Sequence, residues 1–140
     1  MSKLKFYLLS FTWGLPMTLI GLIIALILVI IGYKPNKYGY CLHFEVGENW
    51  GGINLGIVFI TSKNASKHTK DHEHGHGLQN CYWGFLFPFV IGLPSLIRCW
   101  YLDIKYYSNN KIPPTSYDSA WFEGDATKRG TEFIESLGEK

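Results

Sequence analysis

HEHGH, residues 72–76, is the stretch on which the reading of this chain turns. His72 and His76 are four positions apart, so on an α-helix they lie one turn apart on the same face. Two imidazoles so placed can hold one metal ion. Glu73 follows the first histidine and points near such an ion without having to bind it, so it can take a proton from metal-bound water. His74 is rotated off that face and reads as a surface residue. His68 lies one turn further upstream and shares the His72 face, which makes it a weaker ligand candidate. The other reading of the same residues is a solvated His-rich tract that buffers metal. Gly75 and Gly77 each lower helix propensity by ~1 kcal/mol relative to Ala, but a glycine inside the motif also lets another backbone come close.

Working outward, Thr61–Thr69 is a polar loop with Ser62, Asn64 and Ser66 as helix N-cap candidates. The motif helix should end near Asn80. Upstream, Tyr38–Val46 alternates: Tyr40, Leu42, Phe44 and Val46 point one way, and Cys41, His43 and Glu45 the other. That period of two predicts a half-buried strand. GENWGG supplies a turn, and Ile53–Ile60 reads as a second strand, so the pair predicts a β-hairpin or two neighbouring strands.

A catalytic zinc needs a third protein ligand and an open position. Residues 117–138 read as a helix, with Asp118 as N-cap and Gly138 as stop. Glu123 shares a face there with Ala120, Ala126, Thr127 and Gly130, a strip small enough for close approach of another helix. Asp125 lies about 200° round from Glu123, so the two do not serve one ion. The plainer alternative makes Glu123 a solvent-facing charge favoured in a first helical turn.

Two stretches are apolar. Leu15–Ile31 reads LPMTLIGLIIALILVII, and the uncharged run from Phe6 to Tyr33 exceeds the ~20 residues needed to cross hydrocarbon. This predicts an uncleaved transmembrane anchor over 1–33. The rival, a cleaved signal peptide, calls for a shorter core and a small-residue cleavage site, which GYKPNKYGY lacks. Lys3 and Lys5 on one side balance Lys34 and Lys37 on the other, so orientation is undetermined. Residues 82–102 are apolar and aromatic-flanked, but Pro88, Gly92 and Pro94 interrupt them and Arg98 lies inside. A kinked span, a re-entrant or interfacial hairpin and a buried core segment all fit.

Composition narrows the classes. The 140 residues are 47% hydrophobic and only 17% charged, with 13 Lys+Arg against 11 Asp+Glu. That balance lacks the basic surplus of a nucleic-acid binder. Mean hydropathy is +0.04, so the apolar weight is local. Cys41, Cys81 and Cys99 form no CxxC pair, which excludes a Cys-based zinc ribbon and a disulfide framework.

HEHGH followed by Gly77-Leu78-Gln79-Asn80 resembles the zincin metallopeptidase motif in its gluzincin form, with two His on one helix and a Glu on a later one. With NWGGINLG, GLPSLIR, PPTSYDSAWFEG and DATKRG, the chain is similar from about Gly32 to Gly130 to a family of small bacterial membrane proteins carrying HExxH. The resemblance implies His72, His76 and Glu123 as zinc ligands and Glu73 as general base. The chain departs from the gluzincin pattern at Thr127, where an acidic partner would stand. Asp118 or Asp125 is the alternative for orienting a ligand histidine, and Tyr117 or His43 for steadying an oxyanion.

A crossing by 82–102 would separate His72 from Glu123 by some 30 Å, so a shared ion requires that stretch to turn back. The expected architecture is α+β: a transmembrane helix (1–33), then a zincin-like domain (34–140) with a β-hairpin, an HExxH helix and a C-terminal helix, and a membrane-associated segment at 82–102. The expected function is a membrane-anchored zinc metallopeptidase acting on peptide or protein at a bilayer surface. The alternatives are a non-catalytic metal-binding or interaction protein of the membrane, and a structural membrane partner such as an immunity protein.

Overall fold

A computed structural model describes residues 1–114 and 116–138, so Thr115 of the PPTSYDSAWFEG block and the last two residues of the expected 34–140 unit lie outside it. The described residues form an α+β arrangement of five α-helices and a four-stranded mixed sheet. In order these are α1 (Lys3–Phe11), α2 (Leu15–Ile31), β1 (Asn36–Tyr38), β2 (Cys41–Glu45), β3 (Gly52–Leu55), β4 (Val58–Thr61), α3 (Lys67–Trp83), α4 (Leu93–Lys105) and α5 (Trp121–Ser136).

The expected single N-terminal span is instead two helices. The chain breaks at Thr12-Trp13-Gly14, and α1 and α2 meet at 92°. Among the described residues no single helix is long and apolar enough to cross a membrane; two bent pairs pass that test only when joined. At 17 residues α2 extends about 26 Å. Pro16 sits in its first turn, where a missing N–H costs nothing. Both helices are tied to the rest of the chain. Phe6 is fully buried in one core with Phe44, Val58, Phe59 and Ile134. Tyr7 donates to the Tyr40 carbonyl (2.7 Å), and Asn80 donates to that of Gly14 (3.1 Å).

The sheet also differs from the expected hairpin. Turns at Gly39 and Gly56 split each expected strand in two. The order is β1-β2-β4-β3: β1/β2 and β3/β4 are antiparallel, and β2/β4 run parallel with Leu42 opposite Val58. β3 uses the return turn to reach the outer edge, so β4 rather than β3 lies beside β2. Burial along β2 departs from simple alternation. Cys41, His43 and Phe44 are buried, and Leu42 is the exposed member.

α3 is buried at every position from Asp71 to Cys81 although most of its side chains are polar. Ser66 caps it, accepting from the Thr69 N–H. Most of its polar groups meet partners, although His74 Nδ1 and Asn80 Oδ1 have none among the described residues. Tyr38 and Lys67 donate to Asp71 (2.5 and 2.6 Å), and Asn54 on β3 donates to the Glu73 carbonyl (2.9 Å). The small residues foreseen between α3 and α5 do bring the backbones together. A Cβ on Gly75 would lie 1.8 Å from the Ala126 carbonyl oxygen, and one on Gly130 would lie 1.7 Å from that of Asp71. No other residue fits either place without moving a helix.

After Trp83 the chain passes through a 3₁₀ turn (Gly84–Leu86) and one π-helical turn (Pro88–Gly92) into α4, turning by 117°. Pro88 and Pro94 begin helical segments rather than interrupt them. The stretch therefore turns back, and α4 returns alongside the start of α5.

Candidate metal centre

His72 and His76 stand one turn apart on α3, and Glu123 stands in the first turn of α5. Both histidines are nearly buried and Glu123 is fully so. The two Nε2 atoms are 3.1 Å apart. Glu123 Oε2 is 3.0 Å from Nε2 of His72 and 3.2 Å from that of His76. Ligands about 2.0–2.2 Å from a tetrahedral zinc lie about 3.3–3.5 Å from one another. The observed triangle is slightly tighter. His72, His76 and Glu123 thus form a group that could hold a metal ion, and the donor set of two imidazoles and one carboxylate suits a borderline cation such as zinc.

Each candidate ligand is oriented from behind. His76 Nδ1 meets Gln79 Oε1 at 2.7 Å, so Nδ1 carries the proton and Nε2 faces the shared point. Gln79 in turn donates to the Phe122 carbonyl (2.9 Å) and to Asp125 Oδ2 (2.8 Å), which also receives Arg129. Asp125 therefore acts on the histidine at one remove. His72 Nδ1 meets Thr127 Oγ1 at 2.8 Å. Thr127, the residue that departs from the gluzincin pattern, thus takes an orienting position. Asp118 is engaged with His68 (3.1 Å) and lies 3.9 Å from His72 Nδ1. His68 itself stays outside the ligand group, and Asp118 is not the cap of α5, which begins only at Trp121. Ser95 on α4 donates to Glu123 Oε1 (2.5 Å), which leaves Oε2 for the histidines. Thr127, Gln79 and Ser95 had not been singled out for this role. For Gln79 a local signal existed, since it is three residues from His76 and shares its face; for Ser95 no local signal exists.

Burial raises the Glu123 pKa, but hydrogen bonds from His72, His76 and Ser95 outweigh it and hold the carboxyl well below the usual range. Burial lowers that of His76, yet the bond to Glu123 and the charges of Glu73 and Glu123 turn the net shift upward. Glu73 is also raised, mainly by burial and partly by Glu123, with the two histidines opposing.

Glu73 lies beside the cluster on the wall of a cavity of about 510 Å³. Among the described residues its carboxylate has no hydrogen bond or ion pair. β3 passes close over it: a Cβ on Gly52 would lie 2.8 Å from Glu73 Cγ. Tyr117 lines the same cavity, its ring 5.9 Å from that of His72. Burial, then the Glu123 charge, raises its pKa against a hydrogen bond with Ser95, so the phenol stays protonated. Arg98 pins that segment, donating to the carbonyls of Ser116 (3.1 Å) and Tyr117 (3.2 Å) and to Ser119 Oγ (3.1 Å).

Comparison with family models, with curated proteins and with solved structures found no match for this chain. What the centre does is therefore argued from its own atoms.

Two sequence expectations are corrected. His74 is not on the surface. It is fully buried, stacks between Phe6 and Phe133, and accepts from the Tyr40 N–H at 3.1 Å. Off the metal face of a helix buried all round, it faces the core. His43 does not line the cavity. It pairs with Thr61 (2.7 Å) and stacks on Phe59, which leaves Tyr117 as the phenol or imidazole beside the centre other than the ligands.

Proposed function

We propose that this chain is a zinc-dependent peptidase of the HExxH type, a reading that draws on the zincin resemblance and works at a membrane surface. The observation that carries it is the convergence of His72, His76 and Glu123 on one point, with the Glu73 carboxylate beside it at a cavity wall. Bound there, zinc would supply Lewis acidity, polarising a carbonyl and making water acidic enough to lose a proton near pH 7.

The residues have distinct tasks. His72, His76 and Glu123 hold the ion; Thr127, Gln79 and Ser95 keep their donor atoms aimed. Glu73 takes the proton from the attacking water and passes it to the leaving amine. Burial pushes its pKa up from the ordinary carboxylate range, which strengthens it as a base. Tyr117, kept protonated, is the donor available to a developing oxyanion. β3 is the outer strand of the sheet and borders the cavity, so an extended peptide can align along it. The membrane part of the reading is supported by exposed Leu19, Ile23, Ile27 and Ile30 on α2 and Ile97, Trp100 and Ile104 on α4.

The test is metal analysis of the purified protein beside three variants. Wild type should carry one equivalent of divalent cation, and His76→Ala and Glu123→Ala should lose it. Glu73→Gln should keep the ion and lose hydrolysis by roughly 10²–10⁴-fold. Metal retained by Glu123→Ala would remove the ligand set; full activity in Glu73→Gln would remove the mechanism.

A further inference from the structure

Of the three candidate ligands only His76 lines the 510 Å³ cavity, with Glu73 beside it, and the volume is within the ~300–1,000 Å³ range of ligand sites. The remainder is apolar and assembled from distant parts of the chain. Met17 comes from α2, Leu55 from β3, Phe87 and Ile91 from the turn-back segment, and Leu96 and Trp100 from α4. Among the described residues no Lys, Arg or Asp lines it. Its acidic and basic side chains are Glu73 and His76, both at the metal end.

We propose that this apolar end binds large hydrophobic side chains of an extended peptide beside the bond presented to Glu73, so that the chain acts on hydrophobic polypeptide segments and rejects segments charged there. This rests on the peptidase reading and names its substrate class. Desolvation accounts for the rejection: a charged side chain at the apolar end would lose water and find no counter-charge there, because the acidic and basic side chains on the wall, Glu73 and His76, lie at the metal end. A polar edge favours a peptide over an acyl chain. β3 borders the cavity as an outer strand, whose backbone groups an extended peptide can pair with. An acyl chain would leave those groups unanswered. α2 carries no charge, and α4 exposes Ile97 and Trp100 near the cavity, so a hydrophobic segment can approach along apolar surface.

Cys99 provides a readout that needs no catalysis. It is exposed on the cavity wall, whereas Cys41 and Cys81 are buried. The experiment follows maleimide modification of Cys99 in the full-length, zinc-loaded Glu73→Gln protein in detergent. The probes are blocked peptides of equal length, one rich in Leu and Phe and one with Lys and Glu in their place, and a fatty acid. The hydrophobic peptide should slow modification at least tenfold and the charged peptide should not. Leu96→Glu should abolish that protection, and Met17→Glu, on α2 rather than α4, should do the same, which guards against a folding defect in the first variant. Equal protection by both peptides, or by neither, overturns the proposal. Protection by the fatty acid alone overturns it in favour of a lipid ligand. Failure of the peptidase reading is seen separately, as protection by the hydrophobic peptide with no cleavage by wild type.

Discussion

α3 and α2 invert the usual relation between polarity and burial. α3 carries HTKDHEHGHGLQN and is buried throughout Asp71–Cys81. α2 carries no charge, yet leaves Leu26 61% and Ile30 76% exposed. Burying a polar helix is costly unless each group finds a partner. Here partners arrive from β1, β3, α4 and α5 for most of those groups, while among the described residues His74 Nδ1 and Asn80 Oδ1 have none and the Glu73 carboxylate is left free at the cavity wall. Leaving an apolar helix bare is tolerated where another apolar phase covers it. The pair teaches that hydrogen-bond supply decided what lies inside this small protein, and that the polar interior is also where the chemistry is.

The largest effect should come from breaking the α3–α5 contact. Gly130→Leu places a side chain where a Cβ alone would meet the Asp71 carbonyl, so destabilisation should exceed the about 1–3 kcal/mol of ordinary overpacking. Thermal melting with metal analysis checks this, and a stable, metal-loaded variant would break the comparison at its root.

The next effect concerns the aim of the ligands. Ser95→Ala and Thr127→Val should each weaken metal affinity by about 10–100-fold while the fold persists. Competition titration against a chelator measures it; unchanged affinity would reduce those hydroxyls to space-filling.

A smaller effect should follow pH. Burial, then the Lys70 charge, lowers His43 to about 4, with Glu45 opposing. A histidine depressed below its unfolded value of about 6.5 binds its proton more readily when unfolded. Its contribution is whole above about 6.5 and is lost as pH falls towards 4, at up to about 1.4 kcal/mol per pH unit. His43→Gln should flatten the stability profile over that window, as read by denaturant titration.

The smallest change in stability should come from α2. Ile23→Ser with Ile27→Ser should shift folding by only about 0.5 kcal/mol per site, since both face outward. The same pair should sharply reduce binding to lipid vesicles in a flotation assay. If vesicle binding is unchanged, the apolar face of α2 has some other cover.

Much of the centre was legible because its logic is local. The i, i+4 spacing of His72 and His76, the Ser66 cap, the stop at Gly138 and the small strip around Glu123 all depend on helix geometry. Gly75 and Gly130 then meet the partner backbone as that strip implied. Other features were not legible. A pattern of alternation says that a strand forms but not which strand lies beside it, so the parallel β2–β4 pairing was missed. An uncharged run says that a segment avoids charge but not whether Thr12–Gly14 bends it. His74 looked exposed because its burial comes from Phe6 and Phe133, residues 68 positions before it and 59 after it.

The amino-acid order alone settled which side chains share a helical turn, because 3.6 residues per turn is a property of the backbone. Which helix faces which, which hydroxyl backs Glu123, and which surfaces stay bare were decided only when the chain closed on itself. Those outcomes depend on competition among distant groups for the same space and the same hydrogen bonds, and no local spacing records that competition.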